Sequence, residues 1–246
     1  MGWLVECAEL VWCVGLTVKA VLFDMGNTLV KYDVGSPEEV FCRVLASLGI
    51  SRSVDEIKRA MVNAEQEAKD VNLVSLYGKM ECEEYWHRWD SLVLKYLNVA
   101  ENEALAKLVH SRWFDYVDCT LYSEVKEVLL NLKRVGLKVG LITTAYEEEI
   151  ALILEKANLE KEIFDVIVGA DTIKKVKPHA DVFRYATKML KIKPEETVFV
   201  GDHVDADYKG AENAGLQALL LSRRGENKEQ GLKTIASLKE IFANIS

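Results

Sequence analysis

The chain has 246 residues, 50% apolar and 28% charged, with 39 acidic against 31 basic side chains and a formal net charge of −8. That length holds one large domain, or one domain with an insertion, and the apolar share is that of an ordinary globular protein. Three Pro and fourteen Gly exclude a collagen-like or Pro-rich disordered chain, and the excess of carboxylates argues against nucleic-acid partners.

No run of 18 apolar residues is present, so no membrane-spanning helix is expected. The five cysteines (Cys7, Cys13, Cys42, Cys82, Cys119) are odd in number and form no C-x-x-C pair. They argue against a disulfide framework or a zinc site, and for small buried hydrophobes in a reducing, cytoplasmic setting.

Residues 1–17 carry two Cys and two Trp. The stretch lacks a basic start, and Glu6 and Glu9 interrupt its apolar run, so it does not read as a signal peptide. Trp3, Leu4, Cys7, Leu10, Val11 and Val14 recur at helical spacing and fit a short amphipathic helix. A translation start at Val18 fits equally. In either case, removing residues 1–17 is expected to leave the rest intact.

Val18–Phe23 reads as a buried strand, followed by the turn-rich Asp24-Met25-Gly26-Asn27-Thr28. Ser36-Pro37-Glu38-Glu39 starts a first helix, carrying Val40, Val44, Leu45 and Leu48 and stopping at Gly49. Ser53 opens a second helix, with Ile57, Met61, Ala64, Ala68 and Val71 on one face. Residues 81–98 form a third helix, with Tyr85, Trp89, Leu92 and Tyr96, and residues 101–117 form a fourth. Four helical patterns without a strand signal predict a small bundle.

Beyond Cys119 the pattern alternates. Helices are expected at 122–135, 147–157, 180–190 and 205–214, with a last one at the chain's end. Between them, strands are expected at Leu137–Ile142, Phe164–Val168, Thr197–Val200 and Gln217–Leu221. The acidic run Glu147-Glu148-Glu149 suits a helix N-terminus. The alternation predicts a Rossmann-like α/β fold, a parallel sheet with helices on both faces. The division is an extension at 1–17, a core from 18–33 and 119–246, and a helical-bundle cap at 34–118.

Ligands of open α/β sheets bind at the carboxyl ends of the strands. Those ends carry Asp24, Thr143 and Asp202, and Lys177 lies in a nearby loop. Two carboxylates suit Mg²⁺, a lysine and a hydroxyl suit phosphoryl oxygens, and a carboxylate can attack phosphorus. The expectation is phosphoryl transfer at Asp24.

The segments FDMGNTL, GLITT, KVKPHADVF and VFVGDHVDAD resemble, in order, the four motifs of the haloacid dehalogenase superfamily. The long gap between the first two is similar to the subfamily with a helical cap, most of whose members are Mg²⁺-dependent phosphatases of small phosphorylated metabolites. The resemblance implies Asp24 as nucleophile and metal ligand, Thr143 and Thr144 with Lys177 as phosphoryl-binding residues, and Asp202 as a metal ligand. It also implies Asp207 as a carboxylate near the metal, direct or through water, and the Gly26 carbonyl as the remaining protein ligand. Lys175 competes with Lys177, which precedes Pro178 as the motif requires.

Gly26 departs from the motif, which places there a second Asp that protonates the leaving oxygen and activates water. Losing such a group costs about 10²–10⁴ in rate. Three consequences compete: a phosphatase for good leaving groups such as aryl, acyl or anomeric phosphates; replacement by Asp33, His203 or His87; or a weakened enzyme used for binding. The dehalogenase branch also lacks this Asp and uses an early cap Arg, for which Arg43 is a candidate. That branch typically replaces the Gly201-Asp202 pair, which is retained here. The cap aromatics Tyr85, Trp86, Trp89, Tyr96, Trp113, Phe114 and Tyr116 are expected mostly to fill the bundle core, leaving His87 and Arg88 to point elsewhere.

Overall fold

The computed structural model describes residues 18–32, 35–99, 103–223, 225 and 231–245. Residues 1–17, and with them both readings of that stretch, lie outside the described residues, as does Asp33.

The elements in chain order begin with β1 (Ala20–Phe23) and β2 (Val30–Tyr32). Four helices follow: α1 (Pro37–Ser47), α2 (Val54–Asp70), α3 (Cys82–Tyr96) and α4 (Glu103–Trp113). Then come β3 (Cys119–Leu121), α5 (Val125–Arg134), β4 (Lys138–Ile142), α6 (Glu147–Lys156), β5 (Val166–Val168) and α7 (Ala180–Leu190). The chain closes with β6 (Thr197–Gly201), α8 (Gly210–Ala214), β7 (Gln217–Leu221), β8 (Thr234–Ile235) and α9 (Ile241–Asn244).

Six strands form a parallel sheet in the order β5-β4-β1-β6-β7-β8. The order reverses at β1, so the crevice expected to hold ligand opens at its carboxyl end. Alternate side chains sort the core into two layers. Val21, Phe23, Val139, Val198 and Leu219 meet α5 and α6 on one face. Leu22, Phe199 and Leu220 meet Phe183 and Ala186 of α7 and Ala211 of α8 on the other. The expected α/β sandwich with inserted helices is the observed one.

Capping chemistry sets the inserted helices. Ser36 and Ser53 each stand at a helix start, with Glu39 and Glu56 reaching back to their backbone N–H groups. Helix α2 turns Ile57, Ala60, Ala64 and Ala68 inward. Val71 departs from the expected face and is exposed, because α2 ends one residue earlier. Tyr96 is likewise largely exposed, its hydroxyl donating to Glu67.

Three strands were not expected. β2 and β3 form an antiparallel ribbon, Tyr32 opposite Cys119, through which the chain leaves for the inserted helices and returns. Each has only three residues, too few to show a period. β8, two residues long, extends the sheet edge beside β7, and the expected last helix shrinks to α9. The helix expected from 205 opens instead as a π-helical turn, Val204–Lys209. Helix α4 ends at Trp113 rather than 117, and the strand read from Phe164 begins at Val166. The described thiols carry no disulfide: Cys82 and Cys119 are buried, and Cys42 is half-buried and donates to the Arg52 carbonyl.

A second seam joins the helical insertion to the sheet. The turn after α2 sends the Tyr77 hydroxyl to the Thr144 carbonyl at 2.7 Å, and the Gly78 N–H to the hydroxyl of buried Tyr146 at 2.9 Å. Gly78 has φ +72°, and a Cβ there would stand 2.4 Å from the Ala170 carbonyl oxygen. Gly78→Ala is therefore expected to cost at least about 1–2 kcal/mol of stability in urea unfolding. An unchanged midpoint would show that the seam does not form.

Candidate active site

The first strand continues past Phe23 through a hydrogen bond from the Asp24 N–H to the Val200 carbonyl, 2.9 Å. This fixes Asp24 at the sheet's carboxyl edge, where it is 8% exposed. The chain then folds back at once. The N–H groups of Leu29 and Val30 both donate to the Met25 carbonyl, and Asn27 takes φ +55°. Thr143 ends β4, its N–H donating to the Val168 carbonyl at 3.0 Å, and it is buried. Asp202 follows β6. In the π-helical turn beyond it, the His203 N–H donates to Asp207 Oδ2 at 3.0 Å and aims that carboxylate back toward β1.

Lys177, in the loop between β5 and α7, closes the set. Its Nζ donates to Asp24 Oδ1 at 2.5 Å and to Asp207 Oδ1 at 2.6 Å. The competing Lys175 is exposed and pairs with Asp181. Carboxylate oxygens of Asp24, Asp202 and Asp207 lie within 4.8 Å of one another. Burial pushes Asp24 up to about 6, against the pull of Lys177 and helped by Asp207 and Asp202. Burial, then Asp207, raises Asp202 as well. Burial opposes the charge on Lys177, but Asp24 and Asp207 outweigh it and hold its pKa above the ordinary lysine value. Three acids against one lysine leave a surplus of negative charge on hard oxygen donors, a set that fits a small divalent cation.

These groups, with Gly26, Thr143 and Thr144, line one cavity of about 770 Å³, whose far wall includes Val40, Trp113 and Phe114 from the insertion. Thr144 is exposed, with its carbonyl engaged by Tyr77. Of the residues weighed as replacements at Gly26, His203 lines this cavity. Its Nδ1 accepts the Ala206 N–H at 3.1 Å. His87 lines a different cavity with Glu83, Glu84 and Arg88. Arg43 is exposed and is not part of the Asp24 cavity wall.

Tyr32 was not anticipated. A Cβ on Gly26 would lie 3.2 Å from Tyr32 Cε2 and 3.6 Å from its hydroxyl, so the ring borders the space a side chain at 26 would enter. The phenol lines the Asp24 cavity. Burial raises its pKa, with Cys119, Asp24 and Glu149 adding to the shift, so it keeps its proton. The clue in the sequence is a lone Tyr six residues after Gly26. Only the fold-back at Met25–Val30 makes the two neighbours.

Residues 18–215 match the family of haloacid dehalogenase-like hydrolases. The chain belongs to that family. Among similar proteins are pyrophosphatases PpaX of Bacillus cereus (strain B4264), 39% identical over 101 residues, and of Bacillus mycoides (strain KBAB4), 37% identical over 101 residues. Each match spans 41% of this chain and 46% of the relative, so the chain spans about half the length of the curated relatives it matches. Among solved structures, a HAD phosphatase from Thermococcus onnurineus is 23% identical with a TM-score of 0.60, over 93% of this chain and 98% of the other. A 2-haloacid dehalogenase from Pseudomonas syringae pv. Tomato DC3000 is 19% identical with a TM-score of 0.69, over 92% and 97%. Both share the fold of this haloacid dehalogenase-like chain. No helix among the described residues is long and apolar enough to cross a membrane.

A cation that binds the folded acids and not the unfolded chain stabilises by mass action. Mg²⁺ at about 100 times its dissociation constant is expected to add about 2.7 kcal/mol, read as a higher melting temperature. Asp202→Asn is expected to remove most of that gain. A melting temperature indifferent to Mg²⁺ would contradict the site.

Proposed function

We propose that the protein hydrolyses small phosphate esters through a phosphoenzyme on Asp24, with Mg²⁺ as cofactor. The observation that carries this reading is the convergence of Asp24, Asp202, Asp207 and Lys177 on one cavity. An Asp24 carboxylate oxygen attacks phosphorus, the bond to the leaving oxygen breaks, and an acyl phosphate forms. Water then attacks that phosphorus, releasing phosphate and restoring Asp24. Lys177, already paired with Asp24, offsets the negative charge of the transferring group, and the Thr143 hydroxyl with Thr144 holds its oxygens. Asp24, Asp202, Asp207 and the Gly26 carbonyl would hold Mg²⁺, which supplies further positive charge to the phosphoryl oxygens. The pyrophosphatase relatives and the HAD-hydrolase YfnB from Bacillus subtilis, solved bound to magnesium, support the same class of chemistry.

Gly26 leaves no carboxylate at the position where the motif places the one that handles the proton. Tyr32 offsets part of that loss: its phenol donates a hydrogen bond to the leaving oxygen, which takes its proton from solvent. A phenol of raised pKa is no base, and the His203 Nδ1 lone pair is already engaged by the Ala206 N–H. Neither activates water, so hydrolysis of the acyl phosphate limits turnover, while good leaving groups are favoured in the first step, formation of the phosphoenzyme, and so in kcat/KM. The dehalogenase reading has less support, since Arg43 is away from the cavity and Asp202 is retained.

An aryl phosphate with Mg²⁺ is expected to give a burst of released alcohol and then slower turnover. Chelator or Asp24→Asn should reduce this to background; chelator-resistant turnover or a fully active Asp24→Asn would overturn the reading. Saturable phosphate binding without turnover would indicate a binding protein. Tyr32→Phe is expected to lower kcat/KM for alkyl phosphates by about tenfold or more while sparing that for aryl phosphates. Equal losses on both would assign Tyr32 a packing role only.

A further inference from the structure

A second cavity, of about 280 Å³, lies inside the helical insertion. Its walls include Trp86, Trp89, Trp113 and Phe41, so the aromatics expected to fill the bundle core partly enclose a space instead. Pro37, Trp113, Phe114 and Glu149 line both this cavity and the Asp24 cavity, so the two adjoin.

The chamber contains an acid with no partner. Asp90, on α3, is 5% exposed, lines the cavity, and makes no hydrogen bond or ion pair with any described residue. Burial holds its carboxyl well above the usual carboxylate range. Buried acids almost always have a partner, because isolation from water is costly for the group. Trp86 Nε1 is also buried without an acceptor at bonding geometry, although it stands near enough to Glu149 to oppose the rise that burial gives that acid. Glu149 is a second carboxyl on the wall, with Oε2 accepting the Tyr146 N–H at 2.8 Å. Among the described residues no Lys or Arg lines the chamber, and His110, the remaining titratable group among them, is pushed toward neutrality by burial and by His87.

Indole and phenyl faces attract organic cations, and a buried carboxyl gains an ion pair when one arrives. We propose that this chamber binds a small organic ammonium group, and that it receives the leaving-group end of a phosphate ester whose phosphoryl group lies at Asp24. The substrate class is therefore an aminoalkyl phosphate, positive at one end and negative at the other. The chamber's cation preference stands on its own residues; its place in catalysis rests on the phosphatase reading above. The two fit together chemically. An ammonium near the ester oxygen withdraws electron density from it, which improves the leaving group where the chain lacks the usual carboxylic acid.

Choline is titrated into the full-length protein while tryptophan emission is followed, with its uncharged tert-butyl analogue as the control. The expected result is saturable choline binding, with the analogue at least about tenfold weaker. Asp90→Asn, which keeps the shape, is expected to weaken choline by about 10- to 100-fold and leave the analogue unchanged. Equal binding of the analogue, no saturable choline binding, or a folded Asp90→Asn that binds choline normally would each overturn the proposal. If Asp90→Asn does not fold, the comparison of choline with its analogue on the unaltered protein decides. Asp24→Asn is expected to retain choline binding, so failure of the phosphatase reading shows separately as absent turnover with choline binding intact.

Discussion

The ammonium of Lys177 is what allows three carboxylates to share one small volume at the edge of the sheet. Asp24 and Asp207 are both almost removed from water, and each accepts a hydrogen bond from the same ammonium nitrogen. Stripping one partner from such a buried pair costs about 3–5 kcal/mol, because the other charge is left unpaired. The ion pair also ties together parts of the chain far apart in sequence: the end of β1, the loop before α7 and the π-helical turn after β6. Lys177 Nζ further stands 5.4 Å from the centre of the Phe199 ring, so the core under the sheet supports the same cation.

Around this centre the work is divided by layer. The sheet edge presents charge, and the insertion presents apolar walls together with uncharged or unpaired polar groups. Gly26 and Tyr32 form the junction between them. A Cβ at 26 would stand 3.2 Å from Tyr32 Cε2, so the ring borders the space that a side chain at 26 would enter. Gly26 is consequently more than a gap in a motif.

Much of this was legible from the sequence because it rests on local chemistry. Ser36-Pro37-Glu38-Glu39 and Ser53 with Glu56 announce their helices through capping, and the apolar runs after Gly136 and Glu196 announce buried strands. The positions of Asp24, Thr143, Lys177 and Asp202 follow from strand ends and motif order, and the structure brings all four together with Asp207. What escaped depends on contacts between distant segments. The ribbon of β2 and β3 exists only because residues on either side of the insertion meet. Val71 fits the helical period but lies beyond the last packed turn. Asp90 reads as one more acid on a charged helix; its burial follows from how α1, α2 and α4 close over α3, which no pattern within α3 encodes.

The ribbon bears on how the insertion is held. Tyr32 pairs with Cys119, so the insertion's two ends are held side by side whatever lies between them. The ribbon fixes where the intervening helices leave and rejoin the sheet, and the Tyr77 and Gly78 contacts tie them to it a second time. In the proposed function, walls that meet the leaving group come from the insertion and the groups that meet phosphorus come from the sheet edge. Tyr32 sits on the strand that joins the two, so the ribbon rather than the helices keeps its phenol beside Gly26.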